Sequence, residues 1–240
     1  MSSVSDYLSA LHNIVNSSVV SDHAGESVVC ETAIGQAIGL MHNTRDAGGK
    51  IIFVGNGGSA AIASHMAIDY SKNGRMPAMS FNDGAALTCL GNDLGYENVF
   101  SEQIKLHAKE DDLVVAISSS GASANILQAV AAANNCGCTL LTLSGFSSEN
   151  PLRAMGALNW YVDSREYGFV EISHLTICHM ILDIEMGWKD GIDHGSLYQR
   201  KKVGVSNSLY INSRGTFFDI STMSTDKKIQ HTRMLRHSSQ

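Results

Sequence analysis

Two segments rich in glycine and serine combine the residue types that bind a phosphate group. The first is Gly55-Asn56-Gly57-Gly58-Ser59, and the second is Ser118-Ser119-Ser120-Gly121-Ala122-Ser123. Each follows a short apolar run and precedes a predicted helix. Backbone N–H groups at a helix N-terminus favour an anion, and glycine lets the backbone approach it closely. The two segments are therefore predicted to hold, together, the phosphate end of a small molecule.

The second segment narrows the class of ligand. Its four serines offer hydroxyl and amide groups without a positive charge, which suits a phosphoester that carries its own negative charges. It lacks the lysine and the spacing of a nucleotide-binding loop, and no dinucleotide glycine pattern is present. No nucleotide cofactor is therefore expected. The alternative for the first segment alone is a tight turn with a capping serine.

Two predicted helices carry ionisable residues that could do chemistry on such a ligand. His65 and Asp69 are four residues apart on the helix after the first loop, so they share a face. Glu171 and His179 lie on the last helix, about 80° apart around its axis. Histidine and carboxylate groups in this arrangement could hold a metal ion or orient a base. The alternative is a solvated polar face with a buried histidine.

Other residues that could bind a metal ion are predicted to have structural rather than functional roles. His174 lies about 140° from His179 around the helix, so we expect it in the core or at a subunit contact. Asp183, one turn beyond His179, is also taken as structural. Cys136-Gly137-Cys138 lacks the two-residue spacer of common zinc and redox motifs.

The elements that must position these residues alternate along the chain. Helical periodicity covers residues 5 to 47, Ala60 to Tyr70, Ala124 to Asn134 and about Phe169 to Trp188. Apolar runs predict five strands: Ile51 to Val54, Ala78 to Phe81, Leu113 to Ile117, Thr139 to Leu143 and Asn159 to Val162. This order predicts an α/β fold with a central, parallel, five-stranded sheet covered on both faces. Ligands bind at the carboxyl ends of the strands in such folds.

The chain is predicted to have three parts. Residues 1–48 form N-terminal helices, residues 49–190 form the core, and residues 191–240 form a C-terminal extension that is partly disordered. Within the extension, Ser208 to Ile211 and Thr216 to Ile220 are candidate strands.

Composition restricts the partners. The 240 residues carry a net charge of −6, which argues against a nucleic-acid-binding protein. No apolar stretch is long enough to span a membrane, and no signal peptide opens the chain. Five cysteines, an odd number in mostly apolar surroundings, fit reduced thiols and a cytoplasmic location.

With these motifs, the sequence resembles the SIS (sugar isomerase) domain family, and within it the phosphoheptose isomerases. The resemblance spans roughly residues 5 to 190 and includes both loops, Gly91 to Tyr96, and the helix with His174 and His179. It implies a three-layer, flavodoxin-like sandwich, a sugar phosphate substrate, and a homotetramer assembled through the N-terminal helices.

The resemblance also implies the residues of the site. The substrate-binding set is Asn56, Gly57, Gly58, Ser59, Asn92, Asp93, Ser118, Ser119, Ser120, Ser123 and Glu171. The residues that match the family's zinc ligands are His65, Asp69, Glu171 and His179. Two of them depart from the family pattern: Asp69 replaces the glutamate that is the expected base, and Glu171 replaces a glutamine.

The implied reaction is the conversion of D-sedoheptulose 7-phosphate to D-glycero-D-manno-heptose 7-phosphate, for lipopolysaccharide or capsule synthesis. Because Asp69 is one methylene shorter than glutamate, we expect Glu171 to share or assume the base role, with His179 opposite it as acid, base or metal ligand. The helix with Asp69 and the segment from Asp163 to Glu171 also resemble a less characterised SIS group found near surface-polysaccharide genes. The alternatives are an isomerase of another sugar phosphate, or a non-catalytic SIS protein that binds a phosphosugar as a regulator.

Overall fold

The computed structural model describes residues 3–188, 209–211 and 217–219. The strands of the main sheet are β1 (Val19–Asp22), β2 (Ser27–Val28), β3 (Ile51–Gly55), β4 (Ala78–Ser80), β5 (Leu113–Ser118), β6 (Thr139–Gly145) and β7 (Leu158–Val162). The α-helices are α1 (Val4–Asn16), α2 (Cys30–Asp46), α3 (Gly58–Lys72), α4 (Gly84–Leu94), α5 (Ser101–His107), α6 (Ala124–Asn135) and α7 (Tyr167–Glu185). Short 3-10 turns cover Tyr96–Asn98 and Pro151–Ala154.

The sheet has seven strands in the order β2-β1-β7-β6-β5-β3-β4. The five predicted strands, β3 to β7, pair in parallel, whereas β1 is antiparallel to β7 and to β2. Strands β3 and β5 are neighbours, and Gly55 pairs with Ile117. The loops that follow these two strands therefore leave the same edge of the sheet side by side.

The apolar strands are buried on both faces. Side chains alternate along a strand, so Phe53 joins a core cluster with residues of α2, α3 and α7. Its neighbour Val54 joins the opposite cluster, with residues of α5 and α6. This division produces the predicted three-layer α/β/α sandwich.

The N-terminal region departs from the prediction over residues 19–28. Helices α1 and α2 are present, but an antiparallel hairpin lies between them, in which Val20 pairs with Val28. The carboxylate of Asp22 accepts hydrogen bonds from the N–H groups of Ala24 and Glu26 and fixes the turn. The hairpin extends the parallel sheet by two strands on the β7 side.

Two short strands of the C-terminal extension pair with each other antiparallel: β8 (Leu209–Ile211) and β9 (Phe217–Asp219). They coincide with the two candidate strands of the extension. The remaining predictions for residues 189–240 lie outside the described residues. No helix in the described ranges is long and apolar enough to cross a membrane.

Candidate active site

The first loop turns sharply between β3 and α3. Gly57 has φ of 54°, a conformation that favours glycine, and it precedes the first residue of α3, Gly58. No side chain caps this helix. Ser59 lies inside the first turn and is buried, so the alternative of a capping serine is not what the structure contains. The first N–H groups of α3 have no side-chain cap that would compete with a ligand.

The second loop, between β5 and α6, is lined with hydroxyl groups. Gly121 has φ of 61°, and its N–H donates to the hydroxyl of Ser118 at 3.2 Å. The hydroxyls of Ser118 and Ser123 face each other at 3.4 Å. Ser119 is buried, and its hydroxyl has no hydrogen-bond partner among the described residues. A buried hydroxyl without a partner costs free energy, so this loop is built to receive a polar ligand.

A pair of side-chain amides connects the two loops. The Asn56 amide nitrogen donates to the Asn125 side-chain oxygen at 2.8 Å, and the Asn125 nitrogen donates back at 2.8 Å. The hydroxyl of Tyr96 also donates to the Asn56 oxygen, at 3.2 Å. The side chain of Asn56, predicted to touch the substrate, is thus engaged by protein groups. No local sequence pattern pairs Asn56 with Asn125 or with Tyr96, because these residues are far apart along the chain.

Three of the four predicted metal ligands converge between α3 and α7. His65, Asp69 and His179 each offer one ligand atom, and these atoms lie within 4.8 Å of one another. The His65 ring nitrogen lies 3.2 Å from the Asp69 carboxylate, and the two histidine rings are 5.3 Å apart between centroids. We call these three residues the His–Asp–His cluster. Two imidazoles and a carboxylate form a donor set that zinc accepts.

Glu171 lies away from this cluster. Its carboxylate contacts Gly58 so closely that a Cβ atom at Gly58 would overlap it. Eight residues separate Glu171 from His179 on α7, a rise of about 12 Å along the helix. The half-buried carboxylate has no hydrogen bond or ion pair with any residue that the structure describes. It lies against the first turn of α3, the positive end of the helix dipole.

Asp183, which was predicted to be structural, lies beside the His–Asp–His cluster. Burial raises the pKa of its carboxyl group, the nearby His179 lowers it, and the Asp69 charge raises it. The spacing of four residues from His179 was the available signal. His174, by contrast, is fully buried in the core, where its Nε2 atom lies 3.1 Å from the backbone oxygen of Ser144.

Asn92 and Asp93 lie at the exposed end of α4. The Asn92 amide donates to the Asp93 carboxylate at 2.8 Å. The chain then turns at Gly95, with φ of 86°, and brings Tyr96 to the first loop. This segment thus approaches the two loops through Tyr96.

Comparisons with known proteins agree with this architecture. The SIS domain family model matches residues 26–145. The phosphoheptose isomerase of Rhodospirillum rubrum is 34% identical over 158 residues, which cover 63% of this chain and 84% of the relative. That of Campylobacter concisus is 37% identical over 148 residues, which cover 59% and 78%.

Solved structures of phosphoheptose isomerases are also similar. The enzyme from Neisseria gonorrhoeae superposes with a TM-score of 0.65 at 28% identity, covering 75% of this chain and 96% of the other. The enzyme from Francisella tularensis has a TM-score of 0.61 at 28% identity, covering 77% and 98%. The fold, the two loops and these relatives together establish that the chain belongs to the SIS domain family, on its phosphoheptose isomerase-like branch.

Proposed function

We propose that the protein is an aldose–ketose isomerase that converts D-sedoheptulose 7-phosphate to D-glycero-D-manno-heptose 7-phosphate for surface glycan synthesis. The observation that carries the proposal is the carboxylate of Glu171, which lies against Gly58 of the first loop and has no hydrogen-bonding partner among the described residues. We call the second loop, Ser118 to Ser123, the serine loop. It follows β5, the strand next to β3, and starts at the same edge of the sheet. A ligand anchored on the serines would therefore have a base beside it.

The two loops have different roles in this proposal. A phosphate on the first loop would meet the negative charge of Glu171, and like charges at close range repel. The serine loop has no such charge among its residues, and it contains the buried hydroxyl of Ser119, which has no partner in the part of the chain that the structure describes. The phosphate thus binds the serine loop, and the reacting end of the sugar lies at the first loop. This revises the expectation that both loops share the phosphate.

Isomerisation moves a proton between C1 and C2 through an enediolate. It needs a base at the carbon and an acid or electrophile at the oxygen. Asp69 is paired with His65 at 3.2 Å, whereas the carboxylate of Glu171 has no such partner in the described chain. We therefore assign the base to Glu171. When no metal ion is bound, His179 is the candidate for the acid on the opposite side; with a metal ion bound, it would be a ligand and the ion would supply the electrophile.

The His–Asp–His cluster fits a zinc ion. Nitrogen and oxygen donors suit zinc, and three protein ligands leave a position open, as in catalytic zinc sites. When bound, zinc supplies a Lewis acid that polarises a carbonyl or hydroxyl oxygen. His65, Asp69 and His179 would hold it. The resemblance implies Glu171 as a fourth ligand, but in this proposal Glu171 is the base that takes the proton.

The proposal extends to assembly and location. The relatives' family implies a cytoplasmic homotetramer formed through the N-terminal helices. Helix α1 has no buried residue, and Val4, Tyr7 and Leu8 on it are exposed apolar side chains. Such a helix is suited to packing against other copies of the chain.

A substrate panel tests the proposal. Purified full-length protein is incubated with heptulose, hexulose and pentulose phosphates, with added zinc or with a chelator, and aldose formation is followed. We expect turnover of sedoheptulose 7-phosphate that the chelator slows. Faster turnover of a shorter ketose phosphate would change the substrate. Binding of these phosphates with no turnover of any would instead identify a phosphosugar-binding protein.

A further inference from the structure

The side-chain amides of Asn56 and Asn125 form two reciprocal hydrogen bonds, an arrangement that few other residue types could make. Asn56 precedes α3, and Asn125 is the second residue of α6, so the pair joins positions 69 residues apart. Each amide donates to the other at 2.8 Å. This needs a donor and an acceptor on each side chain, which a carboxylate, a hydrocarbon or an amine does not provide.

Because Asn125 is buried, its hydrogen bonds to Asn56 hold the two loops together more firmly than a contact on the surface would. Asn125 is only 3% exposed. A buried amide that loses its partner leaves a donor and an acceptor unsatisfied, so the closed arrangement is strongly favoured. The first loop therefore keeps its register relative to the first turn of α6, which begins directly after the serines.

A third segment meets the same amide. Tyr96 donates its hydroxyl to the Asn56 oxygen at 3.2 Å, although more than half of the tyrosine surface is exposed. Tyr96 follows Asn92 and Asp93 by a few residues, after the turn at Gly95. Three segments at the carboxyl edge of the sheet thus meet on one side-chain oxygen.

We propose that Asn125 is a positioning residue that, through Asn56, holds the first loop and Tyr96 in register with the serine loop. The proposal deepens the proposed function and rests on it. A substrate anchored by its phosphate on the serines presents its reacting carbons to Glu171 only while the first loop keeps this register. Asn125 itself touches no reacting atom; it acts through Asn56.

The test uses Asn125→Asp, which keeps the size and one hydrogen bond, and Asn125→Leu, which removes both. The matched control is Asn134→Asp, an exposed asparagine on the same helix. In the free full-length protein, we expect faster amide hydrogen exchange at residues 55–60 and 95–99 in both Asn125 variants, and wild-type exchange in the control. Unchanged exchange at residues 55–60 in a folded variant would overturn the proposal.

Enzyme kinetics distinguish a positioning role from a purely structural one, because only a positioning role predicts a loss of kcat with phosphate binding unchanged. We expect kcat for the ketose phosphate to fall about 100-fold in Asn125→Asp, as for a reacting group displaced by about 1 Å. Inorganic phosphate, which needs the serine loop alone, should bind as in the wild type. The double variant Asn56→Leu with Asn125→Leu should be no slower than the worse single variant, because the pair acts as a unit.

The outcomes separate this proposal from the proposed function. If the wild type has no isomerase activity, the proposed function fails, and the exchange result alone decides the role of Asn125. If the wild type is active and the Asn125 variants keep their kcat, or the two losses multiply in the double variant, the positioning role is wrong while the function stands.

Discussion

At the scale of single residues, the chemistry depends on which carboxylate takes the proton. Asp69 and Glu171 lie on facing helices but in different surroundings: Asp69 pairs with His65, and the carboxylate of Glu171 lies against Gly58 of the first loop. The Asp69 carboxylate is therefore engaged by a neighbouring side chain, whereas that of Glu171 is available to a ligand.

Replacing the proposed base should remove turnover while leaving the fold intact. For Glu171→Gln, we expect kcat to fall by at least about 100-fold, the usual contribution of a positioned general base. The matched control is Glu166→Gln, an exposed glutamate near the start of α7, which should keep wild-type kcat. Combining Glu171→Gln with Asp69→Glu restores the arrangement of the relatives and should recover part of the activity. Wild-type turnover in Glu171→Gln would exclude Glu171 as the base.

The buried His174 should make stability depend on pH. Burial lowers the pKa of His174 from its ordinary 6.5 to about 4, because the charged ring is poorly solvated in the core. As the pH falls below 6.5, the unfolded chain binds the proton before the folded protein does. The folded state therefore loses stability between pH 6.5 and about 4, and has the full contribution above 6.5.

The measurement is the free energy of unfolding against pH for wild type and His174→Gln. The shift corresponds to up to about 3 kcal/mol, which should be missing from the pH dependence of the variant. His12→Gln removes an exposed histidine and is the control. Identical pH slopes for wild type and His174→Gln would contradict the assignment of His174 as a buried, neutral side chain.

At the scale of elements, α3 and α7 carry the groups to which we assign the chemistry. Gly58 lies opposite Glu171, and seven residues later His65 lies opposite His179. A Cβ atom at position 58 would overlap the Glu171 carboxylate, so a side chain there would displace it. The first turn of α3 therefore contributes to the position of the proposed base.

A methyl group at this position should displace Glu171. For Gly58→Ala, we expect kcat to fall about 100-fold, as for a displacement of about 1 Å, with a much smaller effect on stability. Gly84→Ala is the matched control, because Gly84 also begins a helix and has open space around it. Turnover and thermal unfolding of both variants check this. Equal activity in the two variants would show that the contact at Gly58 does not govern the site.

The strands show how much of the fold could be predicted from the sequence. The five parallel strands are continuous apolar runs between helices, and that pattern has few other interpretations. The hairpin at residues 19–28 escaped prediction because β2 has only two residues, and Val28 also fits the apolar spacing of the next helix. β1 is a strand through its pairing with β7, and β2 through its pairing with β1.

Proximity within the site was harder to predict than residue types. Spacing on one helix predicted that His65 and Asp69 would meet, and they do. It could not predict that Glu171 would contact Gly58 rather than the His–Asp–His cluster, because that depends on how far α7 is shifted along α3. Nor could it predict the contact of Asn56 with Asn125, which requires the register of two strands.

At the scale of the whole molecule, metal binding should stabilise the folded chain. A ligand that binds the folded state at about 100 times its Kd adds about 2.7 kcal/mol to the free energy of unfolding. We expect zinc to raise the Tm of the wild type and of Glu171→Gln, but not of His179→Asn. Thermal unfolding with and without zinc measures this, with His12→Asn as the control. If Glu171→Gln lost the zinc effect as completely as His179→Asn, Glu171 would be a ligand rather than the base.

The central claim is that Glu171 moves a proton on a sugar phosphate anchored by the serine loop. The most direct measurement follows D-sedoheptulose 7-phosphate by NMR in D₂O with the full-length protein. We predict an aldose 7-phosphate with deuterium at C2 in the wild type, and none in Glu171→Gln. Recovery of the ketose unchanged and free of deuterium, although it binds the wild-type protein, would contradict the claim.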